Sequence, residues 1–204
     1  MKCIIVGAGN FNEKEILKEK NDLIIAVDGG YNYCSLLNLE VDILIGDMDS
    51  LESIPENINK YIYNKEKDET DTYLAVQYGI KQGFEEFVLY GCLGGRLEHT
   101  IANIQIIADL CKKGIKIKIV DENTKIYMLN KNEVNEIEGL KNKYISIFSY
   151  SEKSTMSLKG LKYNVLYKDI TNDYPLGIDN ETIGGNGYIY VHEGLVLVIE
   201  RLIN

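Results

Sequence analysis

Phe87-Val88-Leu89-Tyr90-Gly91-Cys92-Leu93-Gly94-Gly95-Arg96-Leu97-Glu98-His99 sets the fold class. Four apolar residues of strand character run into a glycine-rich loop, and the loop runs into a long helical segment. That segment, Leu97–Lys113, carries Leu97, Ile101, Ile104, Ala108 and Cys111 at 3–4 spacing, which predicts one buried face. Gly114 follows where a left-handed residue closes a helix. Strand, loop, helix is the repeating unit of a parallel sheet covered by helices.

The unit recurs toward the N-terminus. Cys3–Gly7, Leu23–Val27, Ile43–Ile45, Tyr61–Tyr63 and, after the quoted stretch, Lys116–Val120 are short, apolar or β-branched, and bounded by turn residues. Thr70–Gln82 reads as a helix with Asp68 or Thr70 as its N-cap. The character changes near Asp121–Asn123. Beyond it the helical period is lost, and Lys125–Leu129, Tyr144–Phe148, Thr155–Leu158, Tyr188–His192 and Leu195–Glu200 alternate as strands between glycines. The expectation is an α/β domain over 1–123, its parallel sheet flanked by helices, and an all-β, sandwich-like domain over 124–204.

Composition narrows the partners. The 204 residues carry 31 Asp and Glu against 22 Lys and Arg, a net charge of −9. This excess of acid argues against nucleic acid and against an anionic membrane surface. No apolar run has transmembrane length, and the first one is too short and too soon interrupted for a signal peptide. Cys3, Cys34, Cys92 and Cys111 form no CxxC pair, so they read as small buried hydrophobes of a reducing compartment, and the expected location is cytoplasmic.

The chemistry lies where the strands end. Asp28-Gly29-Gly30 follows the second strand and Gly46-Asp47-Met48-Asp49-Ser50 the third; Lys65–Asp71 follows the fourth and Gly91–His99 the fifth. In a parallel sheet these loops share the carboxyl edge, where such folds bind ligands. Asp47 and Asp49 repel one another unless a cation sits between them, and hard oxygen ligands of this kind suit Mg²⁺. Alone, the pair supports a metal and a helix cap at Asp49-Ser50 equally; Asp28 and Asp71 at the same rim favour the metal. Lys67-Asp68-Glu69-Thr70-Asp71 is by itself an ordinary solvated charge run, yet Lys67 can neutralise a phosphate and Asp71 can complete a metal site. Gly94-Gly95-Arg96 offers bare amides and a guanidinium to an anion. His99 reads equally as a phosphate-orienting or a helix-capping residue. Gly7-Ala8-Gly9 lacks the third glycine of a dinucleotide fingerprint, and His192 has no evident partner and reads as structural.

DGG, GDMDS, KDETD and GGRLEH, in this order and spacing, resemble the thiamine pyrophosphokinases, and the likeness continues through Ser157–Tyr163 and Leu176–Glu181. The resemblance implies transfer of diphosphate from ATP to the hydroxyl of thiamine, giving thiamine diphosphate and AMP, with Mg²⁺, in a homodimer. It implies Asp47, Asp49 and Asp71 as metal ligands, with Asp28 beside them placing the metal or the thiamine hydroxyl. Ser50, Lys67, Thr70, Arg96, Glu98 and His99 would face the nucleotide, and Asp179 and Asn180 the thiamine. The family usually has Asp where Glu98 stands and Ser where Asp179 stands. Some relatives stack an indole on thiamine, and this chain has no Trp. Two other readings compete. In a phosphatase of the haloacid dehalogenase type Asp47 would be the nucleophile and Asp49 the acid/base, although that motif normally ends a first strand. A non-catalytic Mg-nucleotide sensor would bind ATP without making AMP.

Overall fold

The computed structural model describes residues 1–10, 16, 18–51, 53–64, 66 and 68–203. The chain divides into two compact units, Met1–Glu122 and Asn123–Asn204.

The first unit holds β1 (Cys3–Val6), β2 (Leu23–Val27), α1 (Gly30–Leu36), β3 (Ile43–Gly46), β4 (Asn59–Ile62), α2 (Asp71–Lys81), β5 (Glu86–Tyr90), α3 (Leu97–Lys112) and β6 (Lys116–Val120). Its strands pair in the order β4-β3-β2-β1-β5-β6, every pair parallel. The central strands are buried apolar runs, as strands covered on both faces must be. Helix α1 packs on β1 and β2, α2 on β1, β2 and β3, and α3 on β6. The expected strands and both expected helices are present, and Gly114 does carry a positive φ of 76° after α3.

The buried face of α3 differs from the expected one. Of the expected stripe, Leu97 is 70% exposed, Ile101 50%, Ile104 and Cys111 are half-buried and Ala108 is buried; Asn103, Ile106, Ile107 and Leu110 complete the face that packs. The helix has apolar residues nearly all round, so two stripes of similar spacing compete and packing selects the second. Helix α1 was not expected; it is seven residues long and buries only Gly30 and Cys34, too little for a period.

The second unit is built of antiparallel strands: β7 (Thr124–Leu129), β8 (Val134–Ile137), β9 (Lys143–Ser149), β10 (Lys153–Lys159), β11 (Val165–Thr171), β12 (Gly177–Glu181), β13 (Gly187–Glu193) and β14 (Val196–Leu202). Within it β12-β9-β14-β7 and β11-β10-β13-β8 pair in those orders. Tyr127, Ile145, Ile147, Val196 and Val198 of the first set share one core with Ile137, Met156, Leu158, Ile189 and Val191 of the second. Strands β8, β11 and β12 were not expected. Each has mostly half-buried or exposed positions and no apolar alternation.

Candidate functional site

Register brings the first unit's loops to one edge. Val6 is level with Ala26 and with Tyr90, Val27 with Ile45, and Gly46 with Ile62. The segments starting at Gly7, Asp28, Asp47 and Gly91 therefore leave the sheet together at its carboxyl end.

The loops after β2 and β3 interlock. Asp28 has a left-handed backbone (φ 45°), its N–H donates to Ile45 O at 3.0 Å, and its Oδ1 accepts the N–H of Met48 at 3.2 Å. Met48, also left-handed (φ 64°), drives its side chain into the core with Val6, Ala26 and Leu44. That buried anchor keeps Asp47 half-exposed and Asp49 exposed on the outer side of the turn. Asp47 Oδ1 accepts the N–H of Asp49 at 3.1 Å, a side-chain turn that fixes the spacing of the two acids. Ser50 is exposed and lies beside Gly29, whose Cβ, if present, would stand 3.3 Å from its Oγ.

Thr70 caps α2, its Oγ1 accepting the N–H of Tyr73 at 3.2 Å, and Asp71 is the first helical residue. Thr72 reaches the Cys92 thiol. Burial pushes that thiol, like those of Cys3 and Cys34, up to about 12, so all three are inert at neutral pH. Lys67 lies outside the described residues.

In the loop after β5, Gly94 and Gly95 have φ of 73° and 61°. Arg96, Glu98 and His99 are exposed at the start of α3. Arg96 Nε donates to Glu98 Oε1 at 2.7 Å, using one of the guanidinium's five N–H groups. The carboxyl of Glu98 is held below its usual range by its own main-chain N–H and by Arg96. Asn103, buried inside α3, donates to Cys92 O at 2.8 Å and ties the loop to the helix. The sequence offers two amides in the helix's apolar stretch, Asn103 and the exposed Gln105, and nothing local tells which one is buried.

Asp179 and Asn180 belong to the second unit. Asp179 is exposed with φ 56°, and its N–H donates to Ser146 Oγ at 3.2 Å. The amide of Asn180 is committed to the chain itself. Its Oδ1 accepts the N–H groups of Tyr163 (3.0 Å) and Glu181 (2.9 Å), and Nδ2 donates to Tyr163 O (2.8 Å). His192, expected to lack partners, has two: Ser157 Oγ lies 2.7 Å from Nε2, and the Tyr167 ring stacks on the imidazole at 4.3 Å. The partners come from β10 and β11, so sequence distance hid them.

Among the described residues no three His, Cys, Asp or Glu side chains already converge as a metal cage. The donor set at the rim nevertheless fits a hard divalent ion. Such an ion takes one or two carboxylates, keeps water, and completes its shell with substrate phosphate oxygens. Partly exposed Asp47 and Asp49, with Asp71 at the positive end of α2, offer that kind of half-shell.

Comparison with known proteins bears on what the edge binds. A sequence model described as "Thiamin pyrophosphokinase, catalytic domain" matches residues 15–119. The chain is 33% identical over 162 residues to the thiamine pyrophosphokinase of Bacillus subtilis (strain 168), covering 76% of this chain and 75% of that one. It is 24% identical over 202 residues to thiamin pyrophosphokinase 1 of Caenorhabditis elegans, covering 93% and 83%. A crystal structure of thiamine pyrophosphokinase from Bacillus subtilis superposes with a TM-score of 0.89 at 25% identity over the full length of both chains. The Geobacillus thermodenitrificans structure gives 0.87 at 23%, covering 100% and 99%, and so a shared fold.

Proposed function

The chain belongs to the thiamin pyrophosphokinase family, and from that premise we propose how its own residues divide the reaction. The protein is a thiamine diphosphokinase, an enzyme that makes thiamine diphosphate. The phosphatase and sensor readings are not favoured, since the relatives are diphosphate transferases by name.

The first unit, its helices covering the faces of the parallel sheet, is the catalytic and ATP-binding domain. The observation that carries this assignment is the register that levels the ends of β1, β2, β3 and β5, so that Asp28, Asp47, Asp49 and the Gly94-Gly95-Arg96 loop share one rim. The hydroxyl oxygen of thiamine bonds to the β-phosphorus of ATP while the bond from that phosphorus to the α–β bridging oxygen breaks. AMP leaves with the electron pair, and the hydroxyl proton passes to a carboxylate at the rim. In-line placement and charge neutralisation are the requirements of such a transfer. Asp28, fixed by the Met48 N–H, aligns or deprotonates the hydroxyl. Thr70, Ser50, Lys67 and Arg96 contact nucleotide and phosphate, with Glu98 and His99 supporting Arg96. Mg²⁺ held by Asp47, Asp49 and Asp71 would supply further positive charge to the phosphate oxygens.

Asp179 is assigned to thiamine recognition as a carboxylate suited to a cationic thiazolium, and Asn180, its amide spent on Tyr163 and Glu181, is assigned to holding the main chain beside it in place. The second unit also serves dimerisation: Leu166 (78% exposed) and Tyr167 (65%) on β11 support a homodimer. The buried thiols support a cytoplasmic location, and no described helix is long and apolar enough to cross a membrane. The test is a discontinuous assay with ATP, Mg²⁺ and thiamine that resolves AMP, ADP and thiamine phosphates. AMP formed one-for-one with thiamine diphosphate, and only with thiamine present, is the expected result. ADP with thiamine monophosphate, or no turnover with ATP bound, would overturn it.

A further inference from the structure

The β5–α3 loop is held by more than its own helix. The main chain beyond β1 continues to pair with it after the regular ladder ends: Gly7 N–H donates to Tyr90 O at 2.8 Å, Gly9 N–H to Gly91 O at 2.7 Å, and Asn10 N–H to Leu93 O at 2.7 Å. The approach is close enough to demand glycine. A Cβ on Gly9 would stand 2.5 Å from Leu93 O and 2.7 Å from Gly91 O, and one on Gly7 2.7 Å from Gly91 O. These are backbone atoms that cannot swing aside. At the far end the Asn10 amide covers the α-carbon of Gly94, filling the space a side chain there would need. Tyr33 closes the arrangement from α1, its hydroxyl donating to Gly9 O at 3.0 Å.

We propose that Gly7–Asn10 is a clasp for the Gly91–Arg96 loop, and that Gly9 and Asn10 are positioning residues for the nucleotide phosphates. They act through the loop and touch no substrate. A loop with two consecutive left-handed glycines has many conformations available when unrestrained. The main-chain bonds from Gly9 and Asn10, with the Asn10 amide, select the conformation in which the Gly94 and Gly95 amides and Arg96 stand together. The proposal rests on the assignment of that loop to ATP phosphate.

The clasp predicts a split between substrates. Gly9→Ala and Asn10→Ala should weaken binding of α,β-methylene-ATP, whose α–β link cannot be cleaved, and raise KM for ATP. KM for thiamine should stay at the wild-type value. For Gly9→Ala the loss in nucleotide affinity should be about tenfold or more, because a methyl group against two carbonyls displaces the loop by a sizeable fraction of an ångström. Calorimetric titration of the analogue, steady-state kinetics in each substrate and a thermal melt read the three quantities. A melting shift with unchanged analogue affinity, or KM values for ATP and thiamine rising together, would overturn the clasp.

Should Gly9→Ala fail to fold, a paired test decides. Gly94→Ala should weaken the analogue strongly, and adding Asn10→Ala to it should restore part of that affinity by vacating the contested space. No restoration would overturn the proposal. Wild-type protein that binds the analogue in this clasp-dependent way but makes no thiamine diphosphate would instead overturn the assigned reaction and leave the clasp standing.

Discussion

The carboxylate of Asp28 occupies the space that a Cβ on Gly46 would take. Gly46 is extended past the range of other residues (φ 146°), and Asp28 lies across it with Oδ1 on the Met48 N–H. A glycine at the end of β3 thus makes room for an acid at the end of β2. Gly46→Ala should displace Asp28 and strain the backbone together. The expected loss is about 100-fold in kcat/KM, the scale of a misplaced catalytic group, with about 1–3 kcal/mol of stability. Kinetics and urea unfolding measure both. Wild-type kinetics with only the stability loss would detach Asp28 from the reaction.

Asp49→Asn and Asp71→Asn separate metal binding from folding. Asp49 is exposed and Asp71 begins α2, so neither change opens a core. Each should lower turnover by orders of magnitude, leave the circular dichroism spectrum unchanged, and raise the Mg²⁺ concentration needed for half-maximal rate. Chelation by EDTA should abolish wild-type activity, and Mg²⁺ should restore it. Unchanged turnover at ordinary Mg²⁺ would remove that residue from the metal set.

What could be read in the sequence follows burial and sequence distance. β2 and β3 are fully apolar runs ending in Asp28-Gly29 and Gly46-Asp47, so strand, edge and acids were legible together. β11, with five of its seven positions exposed, offered no pattern, because an edge strand mostly in solvent owes nothing to alternation. The stripe on α3 was misplaced because Leu97 and Ile101 are as hydrophobic as the residues that pack. The clasp and the Ser157–His192 pair were invisible for another reason. Both join residues dozens of positions apart through strand register, which local spacing does not encode.

The capping role of Thr70 and the nucleotide contact proposed for it can be divided by a pair of substitutions. Its Oγ1 accepts the Tyr73 N–H, and in the proposed reaction its own hydroxyl hydrogen is donated to an ATP phosphate. Thr70→Ser keeps both functions and should behave as wild type. Thr70→Ala should cost about 1 kcal/mol of stability, the usual worth of an N-cap, and also raise KM for ATP. A stability loss with unchanged ATP kinetics would confine Thr70 to capping.

Stability of the second unit should depend on pH through Glu200. Its carboxylate, 5% exposed, meets Lys143 Nζ at 2.8 Å, Lys125 Nζ at 3.1 Å and the Tyr127 hydroxyl at 2.9 Å, and Asn135 donates to that hydroxyl at 2.8 Å. Burial pushes the carboxyl up, but the Lys143 bond, the Lys125 charge and the Tyr127 hydroxyl together outweigh it and hold it below its ordinary 4.5. A folded value below the unfolded one contributes stability that is complete above 4.5 and lost as pH falls through the folded value. Glu200→Gln keeps the shape but leaves Lys143, 12% exposed, without a counter-charge. At pH 7 the variant should be less stable by about 3 kcal/mol, the cost of breaking a buried pair from one side. As the pH drops below 4.5 the gap between the two proteins should close, because the wild-type carboxyl then protonates and loses the same attraction. Urea unfolding at a series of pH values reads the gap. A gap that stays constant through the acid range would show that the lysines do not hold Glu200 ionised.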